Sequence, residues 1–214
     1  MENVPISWLD TKTLLEFGER PDGLGQIELK IVLNHKAAIH HLTQYAAEMQ
    51  FIRRDLFDLH ALIADGLIAE TAAIGTLRNR AVQFADSRYL PSDNPHLLKE
   101  AFEQFCEKAN AIHHPFEQAF FAMNFIPYLQ PFQDGNKRTS RLAMNIPLLK
   151  NYLAPFSFTD LRKRDYMFGL LAFYERGRHE FLAEAFVKAY QKTAPRYAAL
   201  VDYMQQGGVL ETLT

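Results

Sequence analysis

The sequence predicts an all-α fold with one short β-hairpin. Apolar side chains recur at three- and four-residue intervals through most of the chain, as they do in helices that bury one face. Prolines, glycines and capping residues divide that pattern into segments of helical length. One stretch, TLRNRAVQFADSRY at 76–89, nearly alternates instead.

Residues 1–27 read as a loosely patterned N-terminal arm, set off by the PDGLG loop at 21–25. From Ile27 to Met49, the residues Ile31, Ala38, Ile39, Leu42 and Ala46 line one face of a helix. Ile52, Leu56, Leu59 and Ile63 repeat the pattern from Phe51 to Ala64, and Gly66 stops it. The hairpin at 76–89 lies between Gly75 and Pro91. His96 to Ala109 is helical through Leu97, Ala101 and Phe105. Pro115 suits a first helical turn and starts a helix to about Ile126. A helix covers Asn136 to Tyr152 and is bent or interrupted at Pro147. Asp160 caps a helix to about Arg176, Gly177 ends it, and Glu180 to Gln191 forms the next. The residues from Lys192 form a last helix that frays at Gly207 and Gly208. The domain expected from this pattern spans residues 28–195, with a C-terminal helix or tail at 196–214.

The 214 residues are 48% hydrophobic and 22% charged, which fits a globular chain and excludes wholesale disorder. Lys+Arg total 23 against 25 Asp+Glu, so no global field attracts nucleic acid or a lipid surface. The single cysteine, Cys106, excludes a disulfide framework and a multi-cysteine zinc site, and it reads as a small buried apolar residue. MENVPISWLD carries neither a basic leader nor a long apolar run, so a cytoplasmic location is expected. The window Ala119 to Leu129 is too short to span a bilayer.

Chemistry concentrates in QPFQDGNKRTSR, residues 130–141. Asp134 and Gly135 stand where a loop becomes a helix. Glycine lets backbone N–H groups approach a ligand, and the first helical turn offers free donors and the positive end of a dipole. Lys137, Arg138 and Arg141 add cations there; Arg138 and Arg141 share a face, as do Lys137 and Arg141. This pattern suits a di- or triphosphate. Asp134 beside the phosphates suits Mg²⁺, held by one carboxylate and waters.

The same segment resembles the Fic (Fido) family motif: His, any residue, Phe, any residue, Asp or Glu, Gly, Asn, Gly or Lys, Arg, two residues, Arg. Pro131, Phe132, Asp134, Gly135, Asn136, Lys137, Arg138 and Arg141 fit it in register. NHKAAIHHL at 34–42, DLFDLHALI at 55–63 and GTLRNRAV at 75–82 follow in the family's order, so the resemblance covers about residues 28–195. It implies a Fic-type helical bundle with a β-hairpin flap over the active-site loop. It also implies transfer of AMP from ATP, or another nucleoside triphosphate, onto a Ser, Thr or Tyr hydroxyl of a target protein. Gly135, Asn136, Lys137, Arg138 and Arg141 would then bind the nucleotide phosphates and Asp134 the Mg²⁺. The flap residues Thr76, Leu77, Arg78, Arg80 and Val82 would lie beside the target peptide by β-augmentation.

The chain departs from the motif at its first position, where the family's general-base histidine is Gln130. A glutamine amide accepts a hydrogen bond but does not keep a proton, so transfer is expected to be impaired or altered. A catalytically inactive Fic-fold pseudoenzyme that binds nucleotide or a partner protein is the alternative. Lys137, at a position where many AMP-transferring members have Gly, leaves a Doc-like phosphotransferase open as well. No other histidine replaces the base: His113 and His114 start the preceding helix, His60 reads as a half-buried packing residue, and His35, His40 and His41 belong to the surface or its boundary. No clean copy of the family's inhibitory helix occurs; Glu16 and Glu28 both lack the Ser or Thr four residues earlier. Phe102, Phe105, Phe116, Phe120, Phe121, Phe125, Tyr128 and Phe132 read as core, and Arg162, Lys163 and Arg164 as a solvated helix turn.

Overall fold

The computed structural model describes residues 24–84 and 87–205. The expected N-terminal arm up to residue 23, Glu16 included, and the C-terminal end with Gly207 and Gly208 lie outside the described residues. The helices in chain order are α1 (Gln26–Tyr45), α2 (Arg53–Ala64), α3 (Pro95–Ala111), α4 (Pro115–Leu129), α5 (Asn136–Ala143), α6 (Asn145–Lys150), α7 (Lys163–Arg176) and α8 (Glu180–Gln205). Short 3-10 turns occur at Thr71–Ala73 and Phe158–Asp160.

The most apolar helix, α4, is central and packs against α3, α5, α6 and α7. It buries Ala119, Ala122, Met123 and Ile126, while α2 adds Leu56, Leu59 and Ile63 and α3 adds Phe102 and Phe105. Phe105 stacks on Phe121, which stacks on Phe125, so the aromatic middle of the sequence is core as expected. The helix α5 is the exception to hydrophobic burial. It packs against α1, α2 and α4, yet its buried positions include Asn136, Arg138, Thr139 and Ser140. A short polar helix inside an apolar bundle needs hydrogen bonds for those side chains, and their arrangement builds the site below.

Several sequence expectations change. The interruption expected at Pro147 in the Asn136–Tyr152 helix falls three residues earlier, at Met144: Pro147 has no N–H to offer the carbonyl four residues back, so it occupies the first turn of α6. Asp160 does not cap α7: its carboxylate is taken from the other side by α8, at 3.1 Å from Thr193 Oγ1 and 2.6 Å from Arg196 Nη2. The helix α8 itself runs without interruption past Gln191 and through Pro195. At the start of α3, Asn94 accepts from the N–H groups of His96 and Leu97, with Pro95 in the first turn.

The expected β-hairpin is absent: among the described residues of 76–89 there is no strand. The polar groups of this segment are satisfied by the bundle rather than by an opposing arm. Arg78 N–H donates to Pro131 O at 2.8 Å, and Glu175 accepts from Ser87 Oγ and from Arg88 N–H at 2.9 and 3.1 Å. No helix among the described residues is long and apolar enough to cross a membrane.

Candidate phosphate-binding site

The helix α4 ends because Gln130 takes the left-handed conformation, φ 48° and ψ 57°, and Pro131 cannot extend the helix. Five residues after Gln130, Gly135, φ 77°, turns the chain into α5. The loop between is closed by its own side chains. Asn136 Oδ1 accepts from Phe132 N–H at 2.9 Å, and Asn136 Nδ2 donates to Phe132 O at 2.8 Å and to Gln130 Oε1 at 2.9 Å. Gln130 Nε2 donates to Pro127 O at 2.8 Å. The expected phosphate ligand Asn136 therefore has its side chain buried and turned back on the loop, where it braces Gln130.

Phe132 anchors the loop from below. It is buried, stacks on His60 with ring centroids 3.9 Å apart, and meets Phe57 edge-on. His60 is wholly buried rather than half-buried. Gly75 N–H donates to its Nδ1 at 2.9 Å, so the proton is on Nε2, which donates to Asp134 O at 3.0 Å. Burial pushes the imidazole pKa down to about 4 from its ordinary 6.5, so the ring is neutral at physiological pH.

Above the loop lies a cleft of about 570 Å³. Motif residues Gln130, Gln133, Asp134, Gly135, Asn136, Lys137, Arg138 and Arg141 line it, with Val82, Gln83 and Phe84 on one side and Lys163 and Met167 on the other. Four cationic side chains thus face a space that contains one carboxylate, Asp134. Arg138 is buried and its Nη2 lies 3.0 Å from Asp134 Oδ2, while the Asp134 side chain is 64% exposed. The Arg141 guanidinium lies 5.2 Å over the Phe158 ring and 5.4 Å over the Tyr166 ring, which hold it by cation–π attraction. Lys137 Nζ rests 3.8 Å from Met167 Sδ.

The structure brings Gln130, Asp134, Gly135, Asn136, Lys137, Arg138 and Arg141 together at this cleft. Of the expected flap residues only Val82 reaches it. Thr76 is exposed and bonded to Ala72 O, Leu77 packs on the core, and Arg80 pairs with Glu70 at 2.8 Å. Arg78 is buried: its guanidinium donates to the carbonyls of Gln130, Arg80 and Ser92 at 2.6, 2.8 and 2.7 Å. It fastens the segment to the motif loop. Sequence reasoning missed Lys163, Met167, Gln83, Phe84 and Gln133. Gln133 stood inside the quoted motif, whereas Lys163 looked like one charge of a solvated run.

Residues 50–148 match the family model described as the Fic/DOC family. Solved structures with the same fold include a Fic domain-containing signaling protein from Bacteroides thetaiotaomicron, with TM-score 0.73, 18% identity and coverage of 100% of this chain and 85% of that one. A Fic family protein from Desulfovibrio desulfuricans gives TM-score 0.73, 19% identity, and coverage of 94% and 62%. A fragment of Fic-1 from C. elegans gives 0.71, 20%, and 95% and 61%, so this chain spans about three fifths of the length of the latter two. The matched span contains α2, the segment at 76–89 and the α4–α5 loop, and stops short of Lys163 and Met167 on α7. Residues 50–148 of this chain form a Fic/DOC family domain.

Proposed function

We propose that the chain binds the phosphate chain of a nucleoside triphosphate, ATP with Mg²⁺, in the cleft over α5, and transfers the AMP group slowly to a Ser, Thr or Tyr hydroxyl of a target protein. The supporting observation is the charge arrangement: Lys137, Arg138, Arg141 and Lys163 line one cleft at the start of a helix, with a single carboxylate among them. A triphosphate needs that excess of positive charge, and the helix N-terminus adds to it.

Asp134 fits a magnesium ion. Its carboxylate is exposed at the cleft, among the cationic side chains. One protein carboxylate completed by phosphate oxygens and waters is the usual magnesium arrangement. When bound, the ion neutralises phosphate charge. Arg138 and Arg141 orient the phosphates from beneath, and Val82 and its neighbours form the side of the cleft where a target segment would lie.

Gln130 accounts for the slowness. It stands where the family motif has its base, and a carboxamide does not take the hydroxyl proton. Loss of general-base help typically lowers a rate by about 10² to 10⁴, while positioning and charge stabilisation persist. Both polar ends of the Gln130 side chain are already engaged, by Asn136 and by Pro127 O. That engagement favours a second reading, in which the domain binds nucleotide and transfers nothing.

Labelling separates the readings. The protein and a Gln130→His variant are incubated with α- or γ-labelled ATP, Mg²⁺ and cell lysate. Weak α-label transfer by the unaltered chain, strengthened about a hundredfold or more by Gln130→His, is expected. ATP binding with no transfer by the unaltered chain supports the second reading, γ-label transfer alone makes it a phosphotransferase, and absence of ATP binding rejects the nucleotide site.

A further inference from the structure

One imidazole joins the floor of the cleft to its side wall. His60 Nε2–H donates to Asp134 O at 3.0 Å, and its Nδ1 accepts from Gly75 N–H at 2.9 Å. Asp134 begins the turn into α5, and Gly75 begins the segment that leads to Val82 and Phe84 at the cleft. Both contact points are next to backbone that resists adjustment. Gly75 has φ 66°, and a Cβ there would come within 3.2 Å of Phe57 O and of Ala61 Cβ. Gly135, beside Asp134, has φ 77°. The ring itself cannot slide, because it is buried and stacked on Phe132.

We propose that His60 is a positioning residue: it sets the Asp134 turn against the 75–84 segment, so that the carboxylate and the cleft wall hold one relative position. It touches no phosphate and acts only through the backbone of Asp134 and Gly75. The proposal rests on the nucleotide reading for its affinity readout alone.

Two half-replacements divide the role. His60→Asn places an amide oxygen near the Nδ1 position, so it keeps the acceptor for Gly75 and loses the donor to Asp134. His60→Gln places an amide nitrogen near the Nε2 position, so it keeps the donor and loses the acceptor. The readouts are hydrogen exchange at Gly75 and residues 76–84, and ATP affinity with and without Mg²⁺. His60→Asn is expected to keep Gly75 protection while Mg²⁺-dependent ATP affinity falls by about tenfold, the worth of one hydrogen bond. His60→Gln is expected to keep that affinity and to exchange Gly75 about tenfold faster.

If both variants shift both readouts together, in step with their loss of stability to urea, His60 is only a core residue and the proposal is wrong. Should neither variant fold, the unaltered protein decides: Mg²⁺·ATP slows Gly75 exchange if the two sides are coupled, and leaves it unchanged if they are not. An unaltered chain that fails to bind ATP rejects the nucleotide reading, and the split in Gly75 exchange between the variants still decides the role of His60.

Discussion

Asn136 Nδ2 donates to Gln130 Oε1 at 2.9 Å, and this bond ties the start of α5 to the residue that ends α4. Gln130 is thereby a structural member of the loop. Gln130 holds left-handed backbone, which disfavours a non-glycine residue by roughly 1–2 kcal/mol, and its side-chain and carbonyl hydrogen bonds to Asn136, Pro127 and Arg78 offset that strain.

Asn136→Ala strips partners from Phe132 N–H, Phe132 O and Gln130 Oε1 at once. The buried groups left over lower stability by about 1–3 kcal/mol. A double-mutant cycle with Gln130→Ala in urea unfolding should show the two changes to be non-additive by roughly 1 kcal/mol, since they share one bond. Strict additivity would mean that the bond contributes nothing.

Arg78→Lys keeps the charge and loses the geometry. An ammonium cannot reach the carbonyls of Gln130, Arg80 and Ser92 together, so the expected loss is about 2–4 kcal/mol. Limited proteolysis should then cut within 76–84 sooner than in the unaltered chain. An unchanged cleavage pattern would show that the segment is held by its other contacts.

Arg138→Ala and Arg141→Ala each remove a cation from the cleft. Titration calorimetry with Mg²⁺·ATP is expected to show affinity lower by about 10- to 100-fold for either, as for loss of one charge-assisted hydrogen bond. Arg178→Ala, on the exposed turn between α7 and α8, is the control and should bind normally. Equal affinities across the three would place the phosphates elsewhere.

Stability should depend on pH through His60. Above pH 6.5 the ring is neutral in both folded and unfolded chains, and its contribution is complete. Between pH 6.5 and about 4 the unfolded chain takes up a proton that the buried ring refuses, so stability falls as pH falls, by up to about 3 kcal/mol, and levels off below that window. Urea midpoints from pH 8 to 4 in magnesium-free buffer test this. His60→Gln, which has no titrating ring, should show a flatter profile, and parallel profiles would assign the dependence to other groups.

The helices, the motif loop and the cations at the start of α5 were legible in the chain, because each depends on local spacing: apolar recurrence for α1 to α4, and adjacent charges with a turn glycine at 134–141. What lay outside that reach was set by groups far apart in sequence. Arg78 lies 52 residues from Gln130, and His60 lies 74 from Asp134, so neither bond leaves a periodic trace. The alternation at 76–89 fits a hairpin, yet its hydrogen-bonding groups found better-placed partners in Pro131 and Glu175. Lys163 read as solvated because nothing local says which wall of a cleft the first turn of α7 will form. The sequence alone determined the helical class and the motif string at 130–141; only the tertiary structure decided that Asn136 braces the loop, that Arg78 fastens the segment at 76–84 to it and that His60 bonds to Asp134 and Gly75, since a buried polar group takes whichever partner the packed chain brings within reach.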